Sequence, residues 1–316
     1  MASVRSWFGL GEGRADQQAA APLPPFAPLP AAGENTEKGP HADRRHDRSR
    51  ERTAPTEAGA EPRWPEAKLR VLASLWGEGF LGPGGAEEVL ALSKPLGLTG
   101  VHSVLQFGAG LGGAARALAA QWGCYVTGYE CDPDLAALGA ALSAKLKLER
   151  KAELRHLDPA SPAIRRNFFH HALALEALWR HADKLSLLGA LVAGVKPSGQ
   201  LVLTDLVIGD VTPSASKAFA LWAACERTEP HLAGERAMTA LMTRQGLDVR
   251  IVEDITGRHM SQTLTAWSSF VQDLARDRPA PAYAARIVEE AERCLRRLDL
   301  MRAGRLRLLR WHAIRR

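Results

Sequence analysis

The segment Ser103–Leu135, SVLQFGAGLGGAARALAAQWGCYVTGYECDPDL, decides what kind of fold to expect. Val104, Leu105 and Phe107 form a short apolar run interrupted only by Gln106, and the run stops at glycines on alternate positions, Gly108, Gly110 and Gly112. Glycines so placed let a strand turn sharply into a helix while the backbone comes close to a ligand. GAARALAAQWG then reads as the helix, closed by Gly123, and CYVTGYE as a second strand ending in Glu130. A carboxylate about 20 residues beyond the glycines, at the end of the next strand, is where nucleotide-binding folds hold the hydroxyls of a ribose. Asp132 and Pro133 fit the N-cap and first position of the following helix.

Outward from this segment, strand and helix keep alternating. AELRHLD, NFFHHALALEAL and QLVLTDLV read as strands three to five; DPDLAALGAALSAKLKL and DKLSLLGALVAGV are helices between them, and KPSG is a turn. Two further helices, PEAKLRVLASLWG and AEEVLALSKPLGL, precede the first strand. Five alternations predict a mostly parallel sheet with right-handed crossovers. A helical stretch from about Ser214 to Gly246 then leads to LDVRIVEDIT, to long helical sequence around AWSSFVQDLARD and AARIVEEAERCLRRLDLMRAG, and to a final strand, RLRLLRWHAIRR. The expected class is α/β: a Rossmann-like, doubly wound, seven-stranded sheet, mostly parallel with an antiparallel last strand and helices on both faces. The helical insert, about 210–246 and 257–303, would form a lid.

With 316 residues, 46% of them hydrophobic, the chain can bury one sizeable core, expected over 63–316. Residues 1–62 are rich in Ala and Pro and then in mixed charge, which predicts a disordered tail. No apolar run approaches the roughly 20 residues of a membrane span, and none follows Arg5 as a leader would require. Cys124, Cys131, Cys225 and Cys294 form no C-x-x-C pair and no metal spacing, so a reduced, cytoplasmic setting without a metal is expected. The net charge of +6 gathers after Leu274, with Arg293, Arg296, Arg297 and Arg302 among the arginines there. This suits an acidic or phosphate-bearing partner, or simply a solvated face. No recognition motif accompanies it, so sequence-specific nucleic-acid binding is not expected.

The glycine loop, Glu130, Asp158 after strand three, ALEALWRHADK after strand four and VKPSGQLVLTD together resemble the class I S-adenosylmethionine-dependent methyltransferases. The resemblance runs from about Trp76 to Arg316 and is closest to the small-molecule group of phosphoethanolamine, sarcosine and quinone methyltransferases. It implies S-adenosyl-L-methionine as cofactor and methyl transfer to a small acceptor. Gly108, Gly110 and Gly112 would let the backbone approach the methionine part, Gln106 would meet its ammonium, and Glu130 would hold the ribose. Cys131 would lie against the adenine, Asp158 would bond its exocyclic amine, and Ala174 to Glu176 would lie near the methyl group. Asp158 equally suits a cap before PASPAI, and Glu176 a solvated helix start.

Three positions depart from the family pattern. Gln106 and His170 stand where the family generally has acidic residues, and Arg180 stands where phosphoethanolamine enzymes have a histidine. These departures keep a second reading open, a binding or regulatory module that has lost turnover. An NAD(P)-dependent oxidoreductase is a third, resting on the glycine pattern alone. If the acceptor must lose a proton, His181, Glu176 and His259 are the candidate bases. Trp76, Phe80, Trp222, Trp267 and Phe270 could wall an acceptor site or pack the core.

Overall fold

The computed structural model describes residues 62–209, 216–275 and 279–316. The tail expected over residues 1–62 therefore lies outside the described residues except for Pro62, and so does the start of the first insert, 210–215.

Strands β1 (Ser103–Phe107), β2 (Tyr125–Glu130), β3 (Ala152–His156) and β4 (Phe169–Leu175) are parallel, and β4 continues in parallel register onto β5 (Val195–Ile208). The order is β3-β2-β1-β4-β5-β8-β7, with β7 (Leu247–Asp254) and β8 (Leu306–Arg315) completing the sheet. β8 enters antiparallel between β5 and β7, as its position at the end of the chain predicts. Seven strands were expected. An eighth, β6 (Ala233–Gly234), adds two residues beside Val207 and Ile208, along the side of β5 that β4 leaves after Leu175.

Alternate strand residues bury into two cores, one on each face. Val104, Val126, Leu173 and Val202 join one cluster; Leu105, Phe107, Ala172 and Leu203 join the other. Helix α1 (Glu66–Trp76) and α2 (Gly85–Ser93) precede the sheet, and α3 (Gly113–Trp122), α4 (Pro133–Lys145) and α5 (Lys184–Gly194) connect its parallel strands. Asp132 caps α4 through hydrogen bonds from the backbone N–H groups of Asp134 and Leu135, as Asp-Pro at a helix start predicts.

Two sequence expectations need correction. KPSG does not end a strand: Val195 to Ile208 is one strand, and Ser198, at φ +64°, marks an irregularity where the pairing slips between Phe169 and His171. Pro and Gly read as a break, yet a bulge absorbs them because the strand continues the same sheet. The described part of the helical stretch expected over about Ser214 to Gly246, residues 216–246, holds two helices, α6 (Lys217–Glu226) and α7 (Glu235–Arg244), separated by β6. The second insert is α8 (Thr256–Leu274) and α9 (Pro281–Arg302). No helix among the described residues is long and apolar enough to cross a membrane.

Candidate active site

β1 and β4 are neighbours, with β2 and β3 on one side and β5 on the other, so the chain order reverses between them. Open α/β sheets bind ligands at the carboxyl ends of the strands at such a point. A cavity of about 770 Å³ lies there.

Its floor is the glycine loop. Gly108 sits at φ +70°, and a Cβ on it would come within 2.4 Å of Ala177 Cβ. Gln106, 1% exposed, faces the cavity from β1, and its Oε1 is buried with no hydrogen-bond partner among the described residues. A buried carbonyl left in this state costs about 1–3 kcal/mol, which a donor in the cavity would recover. At the edge, Glu130 Oε2 accepts the Gly110 N–H at 2.6 Å and Oε1 accepts the Asp132 N–H at 2.9 Å. The carboxylate thus ties the loop to the end of β2 while half-exposed at the cavity wall. Cys131 lines the same wall, and burial pushes its thiol up to about 12.

The far wall carries charge. Glu176 follows β4 at φ +48°, and its Oε2 accepts Arg297 Nη1 at 2.8 Å. Arg297 Nη2 donates to Glu226 Oε1 at 2.6 Å, and Trp222 Nε1 reaches the same oxygen at 3.0 Å. Arg293 reaches Glu226 at 3.5 Å and bonds Glu290, which also accepts Trp76 Nε1 at 3.2 Å. Burial pushes the Glu226 carboxyl up, but Arg297, Arg293 and Arg180 outweigh it and hold the group well below the carboxylate range. Burial also opposes ionisation of Glu176, yet His259, when protonated, and Arg297 keep it below its ordinary value. His259 Nδ1 lies 3.7 Å from Glu176 Oε1, and burial takes the imidazole down to about 4 despite the pull of Glu176. At neutral pH His259 is therefore uncharged, and Arg297 is the cation that faces Glu176. Burial, with Lys184 and Arg180 near, also takes His181 down to about 4.

Arg180 differs from its neighbours. Its side chain is 39% exposed, stacks 4.1 Å over the Trp179 ring, and makes one contact of 3.5 Å with Glu226. It lines the cavity.

The structure brings together Gln106, Gly108, Gly110, Glu130, Cys131, Glu176, His181 and His259 around one cavity. Gly112, Asp158 and Ala174 lie outside its lining. Gly112 precedes α3 at φ +80°, Ala174 is 1% exposed in the core, and Asp158 accepts the Ala160 N–H at 2.9 Å within a turn that no helix follows, so it is not the helix cap the sequence suggested. His170 sits at the opposite end of β4, bonded to Ser103 and Lys196, so its departure from the family pattern does not touch the cavity. Of the five aromatic residues, only Phe80 lines the cavity; Trp76, Trp222, Trp267 and Phe270 are buried. Among the described residues no group of His, Cys, Asp or Glu is arranged to hold a metal ion.

Topology and site position decide the architecture. The fold is that of the class I methyltransferases. Structural similarity agrees with it. The Haemonchus contortus phosphoethanolamine N-methyltransferase 2, solved with phosphomonomethylethanolamine and S-adenosylhomocysteine, superposes with a TM-score of 0.68 at 20% identity, over 80% of this chain and 59% of that one. Geranyl diphosphate C-methyltransferase of Streptomyces coelicolor A3(2) gives 0.55 at 16% identity, over 72% and 77%. The [4+2]-cyclase SpnF gives 0.60 at 17%, over 78% and 93%. A methyltransferase-like fold can therefore carry other chemistry, and the site has to decide. Among curated proteins, phosphoethanolamine N-methyltransferases 1 and 3 of Arabidopsis thaliana are 24% and 25% identical over 45% and 59% of this chain. The chain spans only 28% and 37% of their lengths. No protein-family model matches.

Sequence reasoning missed Glu226, Glu290 and Trp64. Trp64 lines the cavity, where its Nε1 donates to Asp132 Oδ2 at 3.0 Å and Arg63 pairs with the same oxygen at 3.1 Å. One signal was available: Glu290, Arg293 and Arg297 recur at three- and four-residue spacing and so share a helix face.

Proposed function

We propose that the protein is an S-adenosylmethionine-dependent methyltransferase acting on a small acceptor that carries an anionic group, phosphate above all. The observation that carries the cofactor reading is Gln106 Oε1, a buried acceptor without a partner beside a glycine cradle. The methionine ammonium of the cofactor supplies the missing donor, and Gly108 and Gly110 leave room for its backbone-like atoms. Glu130 receives the ribose hydroxyls at the edge of the same loop, and Cys131 lies along the adenine. Bound there, the sulfonium supplies an electrophilic methyl group.

The chain's own work is then to orient the acceptor for in-line attack and to keep water out, since proximity supplies much of the barrier reduction. Arg180, which lines the cavity and is only lightly held by Glu226, suits the acceptor's anionic group. The solved relative above contains a phosphorylated amine, which fits that assignment. Glu176, held ionised by Arg297, orients an amino or hydroxyl group. His181 and His259, uncharged at neutral pH, are the groups able to take a proton if the nucleophile has one to lose. The four free thiols suit a reduced cytoplasmic compartment.

Calorimetric titration with adenosylmethionine and adenosylhomocysteine, with NAD and NADP as controls, tests the cofactor. Micromolar binding that Glu130→Ala loses is expected; binding of NAD in preference to either adenosyl compound would overturn the reading. An acceptor screen of phosphorylated and unphosphorylated amines, repeated on Arg180→Ala, tests the anionic group. Arg180→Ala should raise KM for phosphorylated acceptors about tenfold or more and leave adenosylhomocysteine affinity unchanged.

A further inference from the structure

The turn after β4 carries Glu176, Arg180 and His181 into the cavity, and two buried ionisable residues hold its backbone from behind without lining the cavity themselves. Asp205, 1% exposed in β5, accepts the Trp179 backbone N–H on Oδ1 at 3.1 Å. Lys184, 7% exposed at the first position of α5, donates to the His181 carbonyl at 2.7 Å and to the His231 carbonyl. The His231 N–H donates back to the Trp179 carbonyl at 2.8 Å, which closes the knot. At the other end of the turn, the Glu176 N–H donates to Thr204 O at 2.8 Å. Left-handed backbone at a residue such as Glu176 persists only where its surroundings over-determine it. A lysine in the first helical turn opposes the helix dipole, and its ammonium is costly to bury. Its placement is explained by the two carbonyls it serves.

We propose that Asp205 and Lys184 are positioning residues: together they clamp the Ala177–His181 turn, and through it set where Glu176, Arg180 and His181 stand in the cavity. Burial pushes the Asp205 carboxyl up to about 8, against the Trp179 N–H and Lys184, and Glu176 adds to the rise. Lys184 is the cation facing Asp205, from α5, and Glu176 the anion, from the end of β4; His181 and His231 face Lys184 through their carbonyls. At neutral pH Asp205 holds its proton while Lys184 spends its donors on the carbonyls. Ionisation at higher pH places a carboxylate in the buried strand behind the turn, competes for the Lys184 ammonium that serves His181 and His231, and loosens the turn.

The test compares the full chain with Asp205→Asn, which keeps an oxygen for Trp179 and cannot ionise, and with Lys184→Met, from about pH 6.5 to about pH 9.5. Amide resonances of Trp179 and His181 report on the turn. Calorimetric titration with adenosylhomocysteine reports on the cavity, because Ala177 of the turn packs against the glycine loop at Gly108, and rests on the cofactor reading above. In the native chain both amides should shift together with a midpoint near pH 8, and adenosylhomocysteine affinity should fall about threefold or more across the same range. Asp205→Asn should abolish both changes, and Lys184→Met should show the weakened affinity already at neutral pH. Amides that do not titrate in the native chain, or a midpoint that survives in Asp205→Asn, overturn the clamp. If Asp205→Asn fails to fold, the native titration and Lys184→Met still decide. Titrating amides without adenosylhomocysteine binding at any pH would support the clamp and overturn the cofactor reading.

Discussion

Arg297 Nη1 stands 2.8 Å from Glu176 Oε2, a bond that joins the last long helix to the residue after β4 across 121 positions of sequence. The same guanidinium reaches Glu226, so one side chain compensates two carboxylates. Removing one partner of a buried pair leaves uncompensated charge, at a cost of about 3–5 kcal/mol. Arg297→Met should lose about that much in chemical denaturation at neutral pH. Glu176 and Glu226 have depressed folded values, so their stabilisation is present above the unfolded carboxylate range and is lost as pH falls through the folded values. The variant's deficit should accordingly shrink on acidification below about pH 4, as its own carboxylates protonate. A deficit independent of pH would sink this account.

Gln106 offers a neutral oxygen where a carboxylate would offer a charge. Ionised partners make hydrogen bonds roughly twice as strong. Gln106→Glu should therefore tighten adenosylmethionine binding about fivefold or more by calorimetry, while lowering the melting temperature of the ligand-free protein because the new charge is buried. Weaker binding in this variant would place the ammonium elsewhere.

Three histidines carry neutral rings in the fold: burial takes His171, His181 and His259 each down to about 4. Unfolded, they titrate near the ordinary histidine value, about 6.5. The folded chain then binds fewer protons than the unfolded one between those limits, so stability is full above that window and declines as pH falls through it. Denaturation midpoints at about pH 7 and about pH 5 check this. His171→Gln should flatten part of the slope without touching the cavity, because His171 lies away from it and accepts the Gln200 N–H at 3.3 Å, a role glutamine can fill.

Arg63 and Trp64 meet Asp132 in the cavity lining. A chain starting at Pro62 should bind adenosylhomocysteine as the full chain does, whereas one starting at Glu66 should bind it about threefold or more weakly, with the loss in the dissociation rate. Stopped-flow displacement reads both; equal rates would mean that Arg63 and Trp64 do not hold the ligand.

How much of this was legible follows from how local each signal is. The strand–glycine–helix unit from Ser103, the cap at Asp132 and the antiparallel end were readable because spacing and turn chemistry carry them within a few residues. The charged wall was not. Glu226, Glu176 and Arg297 belong to three distant segments, and nothing in the sequence says how the insert folds back over the sheet. The KPSG bulge was misread because Pro and Gly mark a break locally, while the decision to continue belongs to the neighbouring strands. Asp205 was hidden for the converse reason: nothing local in QLVLTDLV tells that its carboxyl is removed from water.

The Gly113 N–H donates to the Gly79 carbonyl at 2.9 Å, and a Cβ on Gly113 would stand 2.6 Å from that oxygen. The segment ahead of the first strand and the start of α3 are therefore seamed together by two residues without side chains, and any larger residue at Gly113 would push the two apart.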